Sequence, residues 1–261
     1  MKNVCTLFFI LLFISSCKKT IDIKLKNEDK KIVIDSRLIA GINDFNVKVT
    51  LSDNFFGKST IVPVLDASVV LFDGNNTYDL TNIGDGNYKL PLFNASENKN
   101  YKLSVNINGI VYEASSFILY PIELVDVFYL FEEASIFSGK GFTIYTQFED
   151  PLGEVNYYRI DGSVNGNKFG GVDNIILVDD VFENGNVINY PVLGELELGD
   201  IVVVNLYHIN LSTYNYYKEL GLILDSETDL VAPTNPLSNW SNNALGNFST
   251  MAKSSKTVVI Q

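Results

Sequence analysis

The chain is short of the side chains that most often carry chemistry. Its 261 residues include two cysteines and a single histidine. A serine or cysteine nucleophile needs a base to take its proton, usually histidine. The one candidate, His208, falls in the pattern Val202, Val204, Leu206, His208, on the side shared with apolar residues, and no serine elbow precedes it. It reads as a packing residue. A zinc site of the usual type takes three or four nitrogen or sulfur ligands, which one histidine without a free thiol cannot supply. No Gly-rich loop is followed by the lysine of a P-loop, and the stretch from Gly166 to Gly171 lacks the strand-to-helix setting of a phosphate cradle. Catalysis and a resident cofactor are therefore not expected. Cations are scarce as well. With 19 Lys and Arg against 31 Asp and Glu the net charge is −12, and phosphate binding depends on Lys and Arg displacing counterions, so no nucleic-acid partner is expected.

What is present begins at the N-terminus. A short cationic start, Met1-Lys2-Asn3, runs into the apolar stretch Val4 to Ile14 and then Ser15, Ser16 and Cys17, the layout of a secretory signal peptide. At about 1.5 Å per helical residue the apolar stretch covers roughly half of a bilayer core of about 30 Å, too little to span it. The segment Ile14-Ser15-Ser16-Cys17 resembles a lipobox. Residues 1–16 are thus read as a signal peptide and Cys17 as the lipidated first residue of the mature chain. Cys5 lies in the discarded segment, so the mature chain forms no internal disulfide and relies on its core. Several acyl chains on one residue, at about 0.8 kcal/mol per buried methylene, hold a protein on a membrane. Residues 17–30, with Lys18, Lys19, Lys24, Lys26 and Lys30 mixed among Asp22, Glu28 and Asp29, read as a solvated tether. Lys18 rather than Asp after the cysteine points to the outer membrane, with the periplasmic and cell-surface faces both open.

From Lys31 onward apolar and polar residues alternate, as in Phe45, Val47, Val49 and Leu51 against Asn46, Lys48, Thr50 and Ser52. That is the signature of half-buried strands. Strands are expected at Ile32–Ile39, Phe45–Leu51, Ala67–Phe72, Thr77–Ile83, Tyr88–Leu90, Tyr101–Ile107 and Ile110–Phe117. Asp73-Gly74, Asp85-Gly86 and Asn108-Gly109 supply the positive φ of tight turns between them. The spacing predicts an antiparallel β-sandwich of immunoglobulin or transthyretin type over residues 31–120. Tyr120-Pro121 breaks the rhythm, and residues 121–261 read as a second β-rich domain. Its expected strands are Leu124–Phe131, Gly141–Phe148, Asn156–Val164, Ile175–Val178, Ile201–Ile209 and Val258–Ile260. Its one helix is expected near 212–225, capped by Ser212 and facing inward through Tyr217, Leu220, Ile223 and Leu224.

Two groups of residues are candidates for binding. Asp173, Asp179 and Asp180, with Glu183 nearby, form the densest carboxylate cluster and are the candidate ligands for calcium, although their spacing is not that of an EF-hand. The plainer reading is acids solvated in a loop. Tyr157, Tyr158 and Trp240 are the candidate contact residues for a ligand, since aromatic faces stack on sugars and anchor protein partners. Burial in the core is the plainer reading of the tyrosines, and Trp240, in a loop of Asn and Ser, is read as either a plug or a contact residue.

Several segments taken in order resemble a known family. They are Asp66-Ala67-Ser68-Val69 leading to Gly86-Asn87-Tyr88, then Tyr101-Lys102-Leu103-Ser104-Val105 before Gly109-Ile110-Val111-Tyr112. Asp150-Pro151 before Asn156-Tyr157-Tyr158 follows, then the tyrosine-rich helix, and Asn235-Pro236 leading to Ala244-Leu245-Gly246-Asn247-Phe248. With the lipidated start, they make the chain similar to a Bacteroidota lipoprotein family catalogued as domain of unknown function 4249, often encoded beside TonB-dependent outer-membrane transporters. The resemblance implies a place and a neighbourhood rather than a reaction. It points to a non-enzymatic accessory or ligand-capturing lipoprotein partnered with the membrane and with such a transporter. The alternatives are a surface adhesin-like or structural β-sandwich module, and a carboxylate-based glycan-processing enzyme.

Overall fold

The computed structural model describes residues 30–52, 61–134, 139–172, 174–224 and 235–261. Residues 1–29, with Cys17 and most of the expected tether, and Asp173 lie outside the described residues.

Nine strands fill the first half: β1 (Ile32–Ile39), β2 (Asp44–Leu51), β3 (Val62–Pro63), β4 (Ser68–Phe72), β5 (Thr77–Asp79), β6 (Thr81–Gly84), β7 (Asn87–Pro91), β8 (Lys99–Ile107) and β9 (Ile110–Ile118). One layer runs β1-β2-β7-β6, with β3 on β2, and the other runs β5-β4-β8-β9. The alternation of β2 puts Phe45, Val47 and Val49 into the core and leaves Asp44, Asn46 and Lys48 outside. Between the layers they meet Val69, Leu71, Leu103 and Val105. The turn at Asn108-Gly109 joins the paired residues Ile107 and Ile110 with φ of 50° and 84°, the doubly positive geometry that matches strand twist. The expected strand Thr77–Ile83 is instead two, β5 and β6, which belong to opposite layers. Leu80 between them turns inward, its N–H bonded to the Val69 carbonyl at 2.9 Å.

The second half contains β10 (Leu124–Glu132), β11 (Gly141–Glu149), β12 (Tyr157–Val164), β13 (Asn167–Phe169), β14 (Ile176–Asp179), β15 (Val187–Leu196), β16 (Ile201–Ile209), α1 (Leu211–Leu224) and β17 (Phe248–Val259). A layer of β10-β11-β15 packs on β12, β14 and β16. Tyr158, Ile160, Val204 and Leu206 fill that interface with Ile144 and Phe148. On the opposite face of the same strands lies α1, through Tyr214 and Tyr217 against Tyr207, Ile209 and Met251. Asn210, rather than Ser212, caps the helix: its Oδ1 accepts the N–H of Thr213 at 2.9 Å. The buried face is correspondingly Thr213, Tyr214 and Tyr217, and Leu224 remains exposed.

The two halves share a strand. β17 pairs in parallel with β1 from Phe248 to Met251, and antiparallel with β16 from Met251 to Val259. One ten-stranded sheet therefore runs through both halves. Trp240, Ala244, Phe248 and Ala252, from the end of the chain, belong to the core of the first half. β17 is much longer than the expected Val258–Ile260 because its polar residues find partners across the seam. Thr250 Oγ1 donates to the Phe117 carbonyl at 2.8 Å and Ser254 Oγ to that of Ile122 at 2.6 Å.

Candidate functional site

The candidate site forms around β14, a four-residue strand whose only strand partner among the described residues is β12. Asp180 N–H bonds back to the Asn156 carbonyl. By the alternation of an antiparallel ladder, the backbone groups of Leu177 and Asp179 then point away from β12. They point toward β15, which likewise pairs only with β11. Between these two open edges lies a groove of about 450 Å³ lined by Leu177, Asp179, Glu183, Ile188, Asn189 and Tyr190. A second hollow of about 310 Å³ shares Leu177 and Tyr190 and continues to Tyr217 and Lys218 of α1. Asp179 is oriented by the Tyr214 hydroxyl, which donates to it at 2.7 Å. Burial and that carboxylate push the Tyr214 hydroxyl's pKa well up, so it stays a donor. Tyr157 supports the arrangement from below, its ring 4.7 Å from that of Tyr214. The groove thus offers carboxylate and amide acceptors, a tyrosine ring and an unused strand edge, which suits hydrogen bonding and stacking on a ligand rich in donors.

A buried polar network holds the end of the groove. Asp150 accepts the Tyr158 hydroxyl and, at 3.0 Å, the Gly185 N–H. Asp180, with no exposed surface, accepts from Asn156 Nδ2 at 3.3 Å. Its other oxygen has no hydrogen-bond partner, and Asp150 is near enough to act on it electrostatically. Burial first, and then Asp150, push the Asp180 pKa up. His208 completes the network. Its Nδ1 is 2.7 Å from the Tyr120 carbonyl and its Nε2 3.0 Å from Asn156 Oδ1, and burial lowers its pKa against the opposing pull of that carbonyl and of Asp150 and Asp180.

The residues expected to bind are dispersed by this geometry. Asp179 and Asp180 are adjacent in sequence, but one carboxylate goes to Tyr214 and the other to Asn156. Among the described residues no group of three or more His, Cys, Asp or Glu is placed to hold a metal ion; Asp173 of the expected calcium set lies outside them. Tyr157 and Tyr158, as strand neighbours, point to opposite faces, one against α1 and the other into the core, and they form no common platform. Trp240 is a plug. It is 6 % exposed, and its Nε1 donates to the Ile34 carbonyl at 3.0 Å. Its polar neighbours serve the loop: Asn239 bonds both N–H and carbonyl of Phe248, and Asn242 bonds the Val111 carbonyl.

Two residues escaped the sequence reading. Asp150 entered only with Pro151, as a segment of the family resemblance. Arg159 sits within the alternating pattern of β12 yet is 2 % exposed. It donates to the Gly170 carbonyl at 2.8 Å and lies 4.6 Å from the Tyr217 ring centre, clamping α1 to the sheet.

No curated protein matches the chain. Residues 18–257, with the groove and the network inside them, match the domain of unknown function DUF4249, and the chain belongs to that family.

Proposed function

We propose that the protein is a non-enzymatic, lipid-anchored lipoprotein of the outer membrane that captures a ligand for, or otherwise assists, a TonB-dependent transporter. The observation that carries the reading is the groove between the open edges of β14 and β15, a polar and aromatic surface built for recognition. The signal-peptide pattern ending at Cys17 supports the membrane address. Family membership supports the transporter neighbourhood through the resemblance described above.

Gentle detergent extraction of native membranes, followed by affinity purification of the lipidated protein, is expected to recover a transporter. Recovery of the protein alone sinks this reading. On a glycan array the soluble part is expected to retain defined oligosaccharides without turning them over. Tyr190→Ala together with Asn189→Ala is expected to weaken that retention roughly tenfold, about 1.4 kcal/mol. Turnover of any glycan favours the carboxylate enzyme instead.

A further inference from the structure

The two loops that carry the buried acids end in apolar side chains held out in water. Leu152 is 86 % exposed and Phe182 92 %, with Val181 at 55 %. Their backbones are nonetheless tightly fixed. Gly153 and Asn184 exchange two hydrogen bonds of 2.9 Å. Asp150 N–H donates to the Asn186 carbonyl at 3.0 Å, and the Asp150 carboxylate receives the Gly185 N–H. Successive turns close from Glu183 N–H to the Asp180 carbonyl and from Asn186 N–H to the Glu183 carbonyl, both at 2.8 Å. Leu152 also lies close over Gly185, since a Cβ added there would be 2.8 Å from Leu152 Cδ1. A pair of desolvated carboxylates is an expensive way to close two loops, and large apolar groups in water forgo their burial. Both make sense when the loops present a fixed apolar shape, because preorganisation removes the ordering cost of binding.

The charge around the tip selects its occupant. Residues 149–155 and 179–187 carry Glu149, Glu154, Asp179 and Glu183 besides the buried acid pair, and no Lys or Arg. An anionic bilayer repels such a tip. A second copy of the chain meeting it across a twofold axis brings the same acids face to face. A protein pocket with an apolar floor and a basic rim fits both features. We infer that Leu152 and Phe182 form a preorganised docking knob for a protein partner whose apolar pocket is rimmed by Lys and Arg. The inference does not depend on that partner being a transporter.

Site-specific photocrosslinking of the lipidated full chain in its own cells tests it. A photoreactive phenylalanine analogue is placed at Phe182 and, as a control, at Leu92, which is equally open in the first half. The expected result is a discrete protein adduct at position 182 alone, mapped by mass spectrometry to apolar residues flanked by Lys or Arg. Its yield is expected to fall roughly tenfold with Leu152→Ser, and also in about 0.5 M salt, where charges on the rim are screened. The exposure of both side chains keeps the Leu152→Ser chain folded, checked by an unchanged Tm. No adduct, an equal adduct at position 92, a lipid adduct or an adduct with a second copy of the chain each overturns the proposal.

Discussion

Asp73 shows how much one acid contributes at a turn. Its carboxylate accepts the N–H groups of Asn75 and Asn76 at 2.9 and 2.8 Å and pairs with Lys99 at 3.1 Å. Led by the Asn76 N–H, these partners lower its pKa from 3.8 to about 2. A depressed acid stabilises the fold above its unfolded pKa and loses that contribution as pH falls. Asp73→Ala is therefore expected to destabilise by about 1–2 kcal/mol near neutrality, and urea titrations should show the difference shrinking between pH 3.8 and about 2. Asp180 has the opposite sign. Its raised pKa means that the folded protein takes up a proton above pH 3.8, so its stabilisation is present in acid and fades as pH rises. Asp180→Asn, which keeps the shape without the charge, is expected to exceed the parent in Tm at about pH 8 and to lose that advantage toward about pH 4. Parallel Tm curves for the two proteins would refute the raised pKa of Asp180. Neither acid was legible from the sequence in this role. Asp73-Gly74 announced a turn, but which amides it would hold is set by the fold, and the partner of Asp180 lies 30 residues earlier in the chain.

At the scale of elements, the strands with one buried face were the legible ones. β1 and β16 have the expected bounds because both are runs rich in Ile and Val, which favour strand. β15 was missed: Pro191 and Gly194 interrupt it, and both are tolerated because it forms the edge of its layer. β17 was nearly missed since its hydroxyls satisfy neighbours rather than water. The helix was found and Tyr217 and Leu220 pack inward as expected, but its cap is Asn210 and Tyr214, rather than Leu224, completes the buried face. Helical Gly221 has open space where a Cβ would stand. Gly221→Ala is thus expected to stabilise the protein by about 0.5–1 kcal/mol, measured by chemical denaturation, through helix propensity alone. The groove itself left no sequence signal, since it is made by two edges, β14 and β15, that pair with different layers.

For the whole molecule, the decisive element is the strand common to both halves. Phe248, fully buried, packs against Phe45 and Trp240 in the first core, while the rest of β17 pairs with β16 in the second. Phe248→Ala is expected to cost about 3–5 kcal/mol and to move a single calorimetric transition rather than split it, since the far half loses its sheet neighbour with the near one. Two separated transitions would show that the halves unfold independently. The position of β17 also sets the order of events when the protein is made. A chain that emerges N-terminus first has every other strand of its first sandwich available early, but the strand beside β1 follows only after β10–β16. The first core lacks Trp240 and Phe248 until β17 docks beside β1, so the earlier strands stay pliable while the second half is being made.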